Sequence, residues 1–135
     1  MLQESIIFST GQREGLYDIT AKVEELVKKS KIDRGIVTVY ARGATAAVMI
    51  QEGCDQSVQN DVIAFLKRSI PAGVWEHDRQ DGNADAHLKA GMVGPSETIP
   101  VIKGNPGFST WQNLFFCEFD GPRSKREVVV TVVGE

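Results

Sequence analysis

Two cysteines in 135 residues are too few for a disulfide framework. Cys54 and Cys117 both sit in apolar stretches, so two reduced, packed thiols in a cytoplasmic protein are expected. Five prolines and thirteen glycines exclude collagen-like and low-complexity chains. A basic excess is also missing. Fifteen Lys and Arg against eighteen Asp and Glu leave a net charge of −3, which argues against a nucleic-acid partner. The longest apolar run, Ala44 to Ile50, is already broken by Thr45. It falls far short of the roughly 20 residues of a bilayer span, so no membrane partner is expected. Met1-Leu2-Gln3-Glu4 lacks the basic start and apolar stretch of a secretory signal. No GxSxG elbow, Walker A loop or GxGxxG appears, which disfavours a covalent hydrolase or a nucleotide-fold enzyme.

What the chain does have is core material. At 41% hydrophobic and 24% charged residues, it can form one domain spanning residues 1–135. Residues 3–9 read as a first strand. A helix follows from a cap at Asp18 or Thr20 to about Ser30, with Ile19, Val23, Leu26 and Val27 on one stripe. Gly35 to Ala41 reads as a strand, Arg42-Gly43-Ala44 as a turn, and Thr45 to Gln51 as the returning strand. A second helix from about Asp55 to Ser69 carries Val58, Val62, Phe65 and Leu66, and Pro71 and Gly73 end it. A short helix is expected over Asp85 to Met92 and a strand over Glu97 to Ile102. Gly104-Asn105-Pro106-Gly107 is a turn signal. Strands over Phe108 to Phe119 and Glu127 to Val133 complete the chain. Six or seven strands and two main helices, without regular βαβ alternation, predict an α+β fold with a largely antiparallel sheet.

Glu76 to His87 holds both histidines and four carboxylates. Imidazole is the commonest metal ligand near neutral pH, and carboxylates ligate or orient it. The ten-residue step from His77 to His87 matches neither a zinc finger nor HExxH, so two solvated loop histidines fit equally well. Glu52 ends a predicted strand and Asp61 borders the apolar stripe of the second helix; each is a candidate ligand or a solvated side chain. Trp111 and Gln112 interrupt an apolar strand, where the indole could stack on a flat ring and the amide could read its edge. Arg123 follows the rigid Gly121-Pro122 turn and could grip a phosphate bidentately. Ser124, Lys125 and Arg126 extend that positive corner, which otherwise reads as an exposed hairpin tip.

In this order and spacing, certain stretches carry a resemblance. They are Ala44-Thr45-Ala46-Ala47 through Gln51-Glu52, Asp55 to Asp61, His77-Asp78, and Asn83-Ala84-Asp85-Ala86-His87-Leu88-Lys89-Ala90. They continue with Gly94-Pro95-Ser96, Ile99-Pro100-Val101, Ser109-Thr110-Trp111-Gln112, Glu118-Phe119-Asp120-Gly121-Pro122-Arg123 and the Val132–Glu135 tail. The chain resembles the YjbQ-like family, also called UPF0047 or the secondary thiamine-phosphate synthase family, over essentially its whole length. The resemblance implies an α+β homotrimer with histidines able to hold a divalent metal, zinc first and magnesium second. It also implies formation of thiamine phosphate, joining a pyrimidine methyl pyrophosphate to a thiazole phosphate with loss of pyrophosphate.

One departure stands out, because the His-Thr-Thr or His-Thr-Ser run common in the family reads Gly43-Ala44-Thr45 here, with Gly43 at the histidine position. The remaining metal candidates are His77 and His87, with Glu52 or Asp61 making up the number. Thr45, Asn83, Trp111, Gln112 and Arg123 are the expected contacts to a small phosphorylated molecule. Two other functions stay open: a metal-dependent hydrolase of a small phosphorylated or cyclic compound, and a non-catalytic ligand-binding protein. Self-association is also expected from the apolar segments Phe115-Phe116-Cys117 and Val128-Val129-Val130.

Overall fold

A computed structural model describes all 135 residues. The elements run β1 (Leu2–Thr10), β2 (Gly15–Asp18), α1 (Thr20–Ser30), β3 (Arg34–Ala41), β4 (Ala46–Glu52) and α2 (Gln56–Ser69). A 3₁₀ turn over Glu76–Arg79 precedes α3 (Ala84–Val93), β5 (Ser96–Ile102), β6 (Asn105–Pro106), β7 (Gln112–Glu118) and β8 (Arg123–Gly134). All pairings are antiparallel, in two sheets of order β1-β8-β3-β5-β6 and β2-β7-β4. The α+β fold is as expected, with eight strands and three helices.

Strand alternation sets the core. Val37 and Val39, Ile99 and Val101, and Val128, Val130 and Val132 point inward from the five-stranded sheet. They meet Val23 and Val27 of α1 and Val48, Leu114 and Phe116 of the three-stranded sheet. Ile19 rather than Asp18 or Thr20 is the α1 cap residue, although the Asp18 carboxylate accepts the Thr20 N–H at 2.9 Å. The Thr20 hydroxyl oxygen accepts the Leu114 N–H at 2.8 Å and so ties α1 to β7. Thr20→Val keeps the shape and orphans that N–H, so a loss of about 1–2 kcal/mol is expected in urea unfolding. No measurable loss would show that water takes over the bond.

Several expectations fail for identifiable reasons. β3 and β4 do not form a hairpin, because the chain crosses from one sheet to the other at Arg42–Thr45. The strand expected from Phe108 begins only at Gln112, since Ser109 and Gln112 close a turn through a 3.1 Å backbone bond. β2 has no clear sequence signal, because its four residues gain their ladder only from β7. Phe65 faces solvent, and of the α2 stripe only Leu66 is buried. Cys54 is exposed, whereas Cys117 is buried and its thiol pKa is pushed up by burial. Phe115, Phe116, Cys117, Val128 and Val130 are covered within one chain, so they offer no surface to a second copy. No helix is long and apolar enough to cross a membrane.

Candidate functional site

The histidines are positioned by one carboxylate. Asp78 accepts the Trp75 N–H through Oδ2 and the Ala84 N–H through Oδ1, each at 3.0 Å. These two N–H groups hold its carboxyl below the ordinary 3.8, the Trp75 bond first. The 3₁₀ turn carrying His77 is thereby pinned to the first turn of α3, which carries His87. The rings meet edge to face with centroids 5.1 Å apart. His77 Nε2 is buried with no hydrogen-bond partner, and the nearest carboxylate oxygen, Asp81 Oδ2, stands 3.4 Å away outside bonding geometry. Trp75, His77, Ala84, His87 and Leu88 line a cleft of about 390 Å³ whose walls are mostly apolar. Trp75, two residues before His77, carries no sequence signal of its own for this cleft. Its indole N–H is held by the Pro71 carbonyl at 2.7 Å.

At the start of α3, Asn83 donates to Asp120 Oδ2 at 2.9 Å. Arg123 grips the same residue, with Nη2 on Oδ2 and Nε on the carbonyl oxygen, both at 2.9 Å. Asn83 Oδ1 is buried and unpartnered. Arg123 is exposed and keeps Nη1 free of any partner in the chain. A half-committed guanidinium beside an unsatisfied amide suits a ligand offering both an anion and a donor.

The positive corner continues through the exposed Ser124 and Lys125 and stops short of Arg126. Arg126 is not an exposed hairpin residue; it lies inside, on the same face of β8 as Val128. Its Nε donates to Glu118 Oε1 at 2.9 Å and its Nη2 donates to Glu118 Oε2 and, at 3.0 Å, to the Thr45 hydroxyl oxygen. Burial works to raise the Glu118 pKa, but bonds from Arg126, Thr10 and the Asp120 N–H outweigh it and hold it below the ordinary 4.5. Thr45 is therefore buried under an arginine. Gly43 flanks the same arginine, and a Cβ there would stand 2.9 Å from Arg126 Nη1.

The other candidates lie elsewhere. Glu52 caps its own loop, accepting the N–H groups of Cys54 at 3.1 Å and Asp55 at 2.9 Å. Gln112 pairs across from Glu52, and its Oε1 accepts the Ser109 N–H at 2.9 Å. Trp111 beside it is 62% exposed. Asp61 borders an apolar groove with Val58, Phe65 and Met92. Ala46 pairs with Glu118 at one end of the β4–β7 ladder and Glu52 with Gln112 at the other, roughly 20 Å away over seven residues. Within one chain neither Glu52 nor Asp61 joins the histidines, and no three His, Cys, Asp or Glu residues converge. Two imidazoles alone do not complete a zinc shell of four ligands.

The family model for YjbQ-like UPF0047 proteins matches residues 4–135. A UPF0047 protein of Methanocaldococcus jannaschii is 43% identical over 93% of this chain and 90% of its own length. A UPF0047 protein of Archaeoglobus fulgidus is 40% identical over 92% and 96%. A YbjQ-like protein of unknown function from Sulfolobus solfataricus has a similar crystal structure, with a TM-score of 0.96 at 37% identity, covering 99% of this chain and 97% of that one.

Proposed function

The chain belongs to the YjbQ-like UPF0047 family, and from that premise we propose that it is the subunit of a homotrimer that binds a divalent metal and a small phosphorylated molecule. The observation that carries this reading is the His77–His87 pair with its buried, unpartnered Nε2. The two rings offer two nitrogens, and the ligands that one chain lacks would come from a neighbouring copy, the substrate or water. Zinc is the expected ion and magnesium the second candidate. A metal there would supply positive charge for a phosphate or a departing pyrophosphate. Arg123 would hold phosphate with its free Nη1, and the cleft beside Trp75 would take a flat heteroaromatic ring. Thiamine-phosphate formation is the activity this arrangement favours.

Two features support assembly. The candidate residues divide between opposite ends of the β4–β7 ladder, which a closed head-to-tail ring would bring together. The outer face of the five-stranded sheet exposes Ile36, Tyr40, Ile102 and Val133, where a solvated sheet face would alternate to polar residues.

The test measures metal content and particle mass on untagged protein, parent beside His87→Ala. The expected result is three chains per particle, with about one divalent ion per chain in the parent and none in the variant. Pyrophosphate should appear only when both the pyrimidine pyrophosphate and the thiazole phosphate are supplied. Metal-free parent protein would retire the metal. Turnover of a single phosphorylated compound with water would make the chain a hydrolase, and ligand binding without turnover would make it a binding protein.

A further inference from the structure

A second polar site, sharing no lining residue with the histidine cleft, lies between α2 and the β1–β2 segment. Arg13, Glu14, Asp85 and Lys89 form a closed ring of four charges there. Lys89 Nζ donates to Asp85 at 2.8 Å and to Glu14 Oε1 at 2.9 Å. Arg13 reaches Glu14 Oε1 at 3.1 Å and Asp85 Oδ1 at 3.2 Å. Two cations balance two carboxylates, so the ring is neutral. Glu14 nevertheless has an unused oxygen. Its side chain is 7% exposed, and Oε2 is buried with no partner. A buried carboxylate oxygen without a donor is costly, and the Glu14 side chain that carries it borders an open groove.

That groove has a volume of about 780 Å³, within the range of small-molecule sites. Gln12 and Tyr17 stand on one wall with Glu14, and Gln59, Asn60 and Lys67 stand on the α2 wall. It continues past Glu14 and Lys67 into a second hollow of about 550 Å³ bounded by Arg13, Asp85 and Lys89. The side-chain amides of Gln12 and Gln59 bond to nothing in the chain, and Asn60 uses only its Oδ1, which accepts from Gln56 at 3.2 Å. Lys67 makes no ion pair. With the ring already neutral, Oε2 calls for an uncharged O–H or N–H donor. Lys67 then supplies the one uncompensated positive charge, and free amides suit a ligand with several hydroxyls.

We propose that the groove between α2 and the β1–β2 segment binds a polyhydroxylated phosphate, with Glu14 Oε2 accepting a ligand hydroxyl and Lys67 holding the phosphate. The site uses neither His77 nor His87 and does not depend on the reading given to them.

The experiment titrates ¹⁵N-labelled protein with ribose 5-phosphate, glucose 6-phosphate and glycerol 3-phosphate, with ribose and inorganic phosphate as separate probes. Saturable shifts of the Gln12, Gln59 and Asn60 side-chain amides by at least one sugar phosphate are expected. Lys67→Ala, at an exposed position, should weaken that binding at least about tenfold, roughly 1.4 kcal/mol. Glu14→Gln, checked for folding by circular dichroism, should weaken it similarly, and His87→Ala should leave it unchanged. Ribose and inorganic phosphate should each bind more weakly than the combined molecule. No amide shift with any of the three phosphates at about 10 mM, well above a millimolar Kd, would overturn the proposal. So would unchanged affinity in Lys67→Ala, or equal binding of inorganic phosphate alone.

Discussion

Arg126→Met is expected to destabilise the chain by about 3–5 kcal/mol at neutral pH, the usual cost of leaving a buried charge without its partner. Glu118 is fully buried, and Arg126 grips both of its oxygens. Thr10 and the Asp120 N–H add bonds at 2.7 and 3.0 Å, but neither brings charge. The guanidinium also sits 5.9 Å from the Phe116 ring centroid, and Met would keep much of that packing. Packing therefore contributes little to the expected loss. Without Arg126, burial is the largest influence on the Glu118 carboxyl and pushes its pKa up, so the variant should regain stability relative to the parent as pH falls. Urea unfolding at neutral and mildly acidic pH reads both effects. The double variant Arg126→Met/Glu118→Leu should recover most of the loss, because the pair is then removed together. A single variant within about 1 kcal/mol of the parent would show that water reaches Glu118.

This pair also marks where the sequence stopped being legible. The run Ser124-Lys125-Arg126 reads as an exposed basic corner by composition. Alternation reads it otherwise, since Arg126 shares its face with Val128, Val130 and Val132, all buried. The β-branched run signals the strand, and its inward phase extends back to include an arginine. Elements whose signals are local are legible: the α1 stripe at Val23 and Val27, the β-branched run of β3, and the short helix read over Asp85 to Met92, which is α3. Partner choice is not. Nothing local places β3 and β4 in different sheets, because that depends on which strand each finds across the core.

The candidate site divides the same way. His77 and His87 were found by residue type, and the structure sets their rings 5.1 Å apart through Asp78. Glu52 and Asp61 offer the same chemistry by residue type, but each lies elsewhere in the fold. The Asp85–Lys89 spacing of four residues was on view, yet the partners that bury it, Arg13 and Glu14, are more than seventy residues away.

Lys89→Met should therefore carry the second large effect, again about 3–5 kcal/mol at neutral pH. Lys89 is 1% exposed and Asp85 fully buried, so the ammonium and the carboxylate are both held out of water. In the parent, burial works to raise the Asp85 pKa, and hydrogen bonds from Lys89 and Arg13 more than offset it, leaving the carboxyl below the ordinary 3.8. A carboxyl depressed on folding contributes stability that is complete above its unfolded value. That contribution is lost as pH falls below 3.8 through the folded value. The parent should thus hold its stability down to about pH 5 and lose it steeply below about pH 4.

Removing Lys89 leaves only Arg13, whose side chain is 42% exposed, against the burial of Asp85. The carboxyl then moves up, and the sign reverses. The folded variant binds its proton more tightly than the unfolded chain, so acidification favours folding at that group. The gap between parent and variant should be widest near pH 7 and narrow toward pH 4, as read by urea unfolding at several pH values. A gap that stays constant across that range would assign the loss to packing of the Lys89 stem rather than to the charge it neutralises.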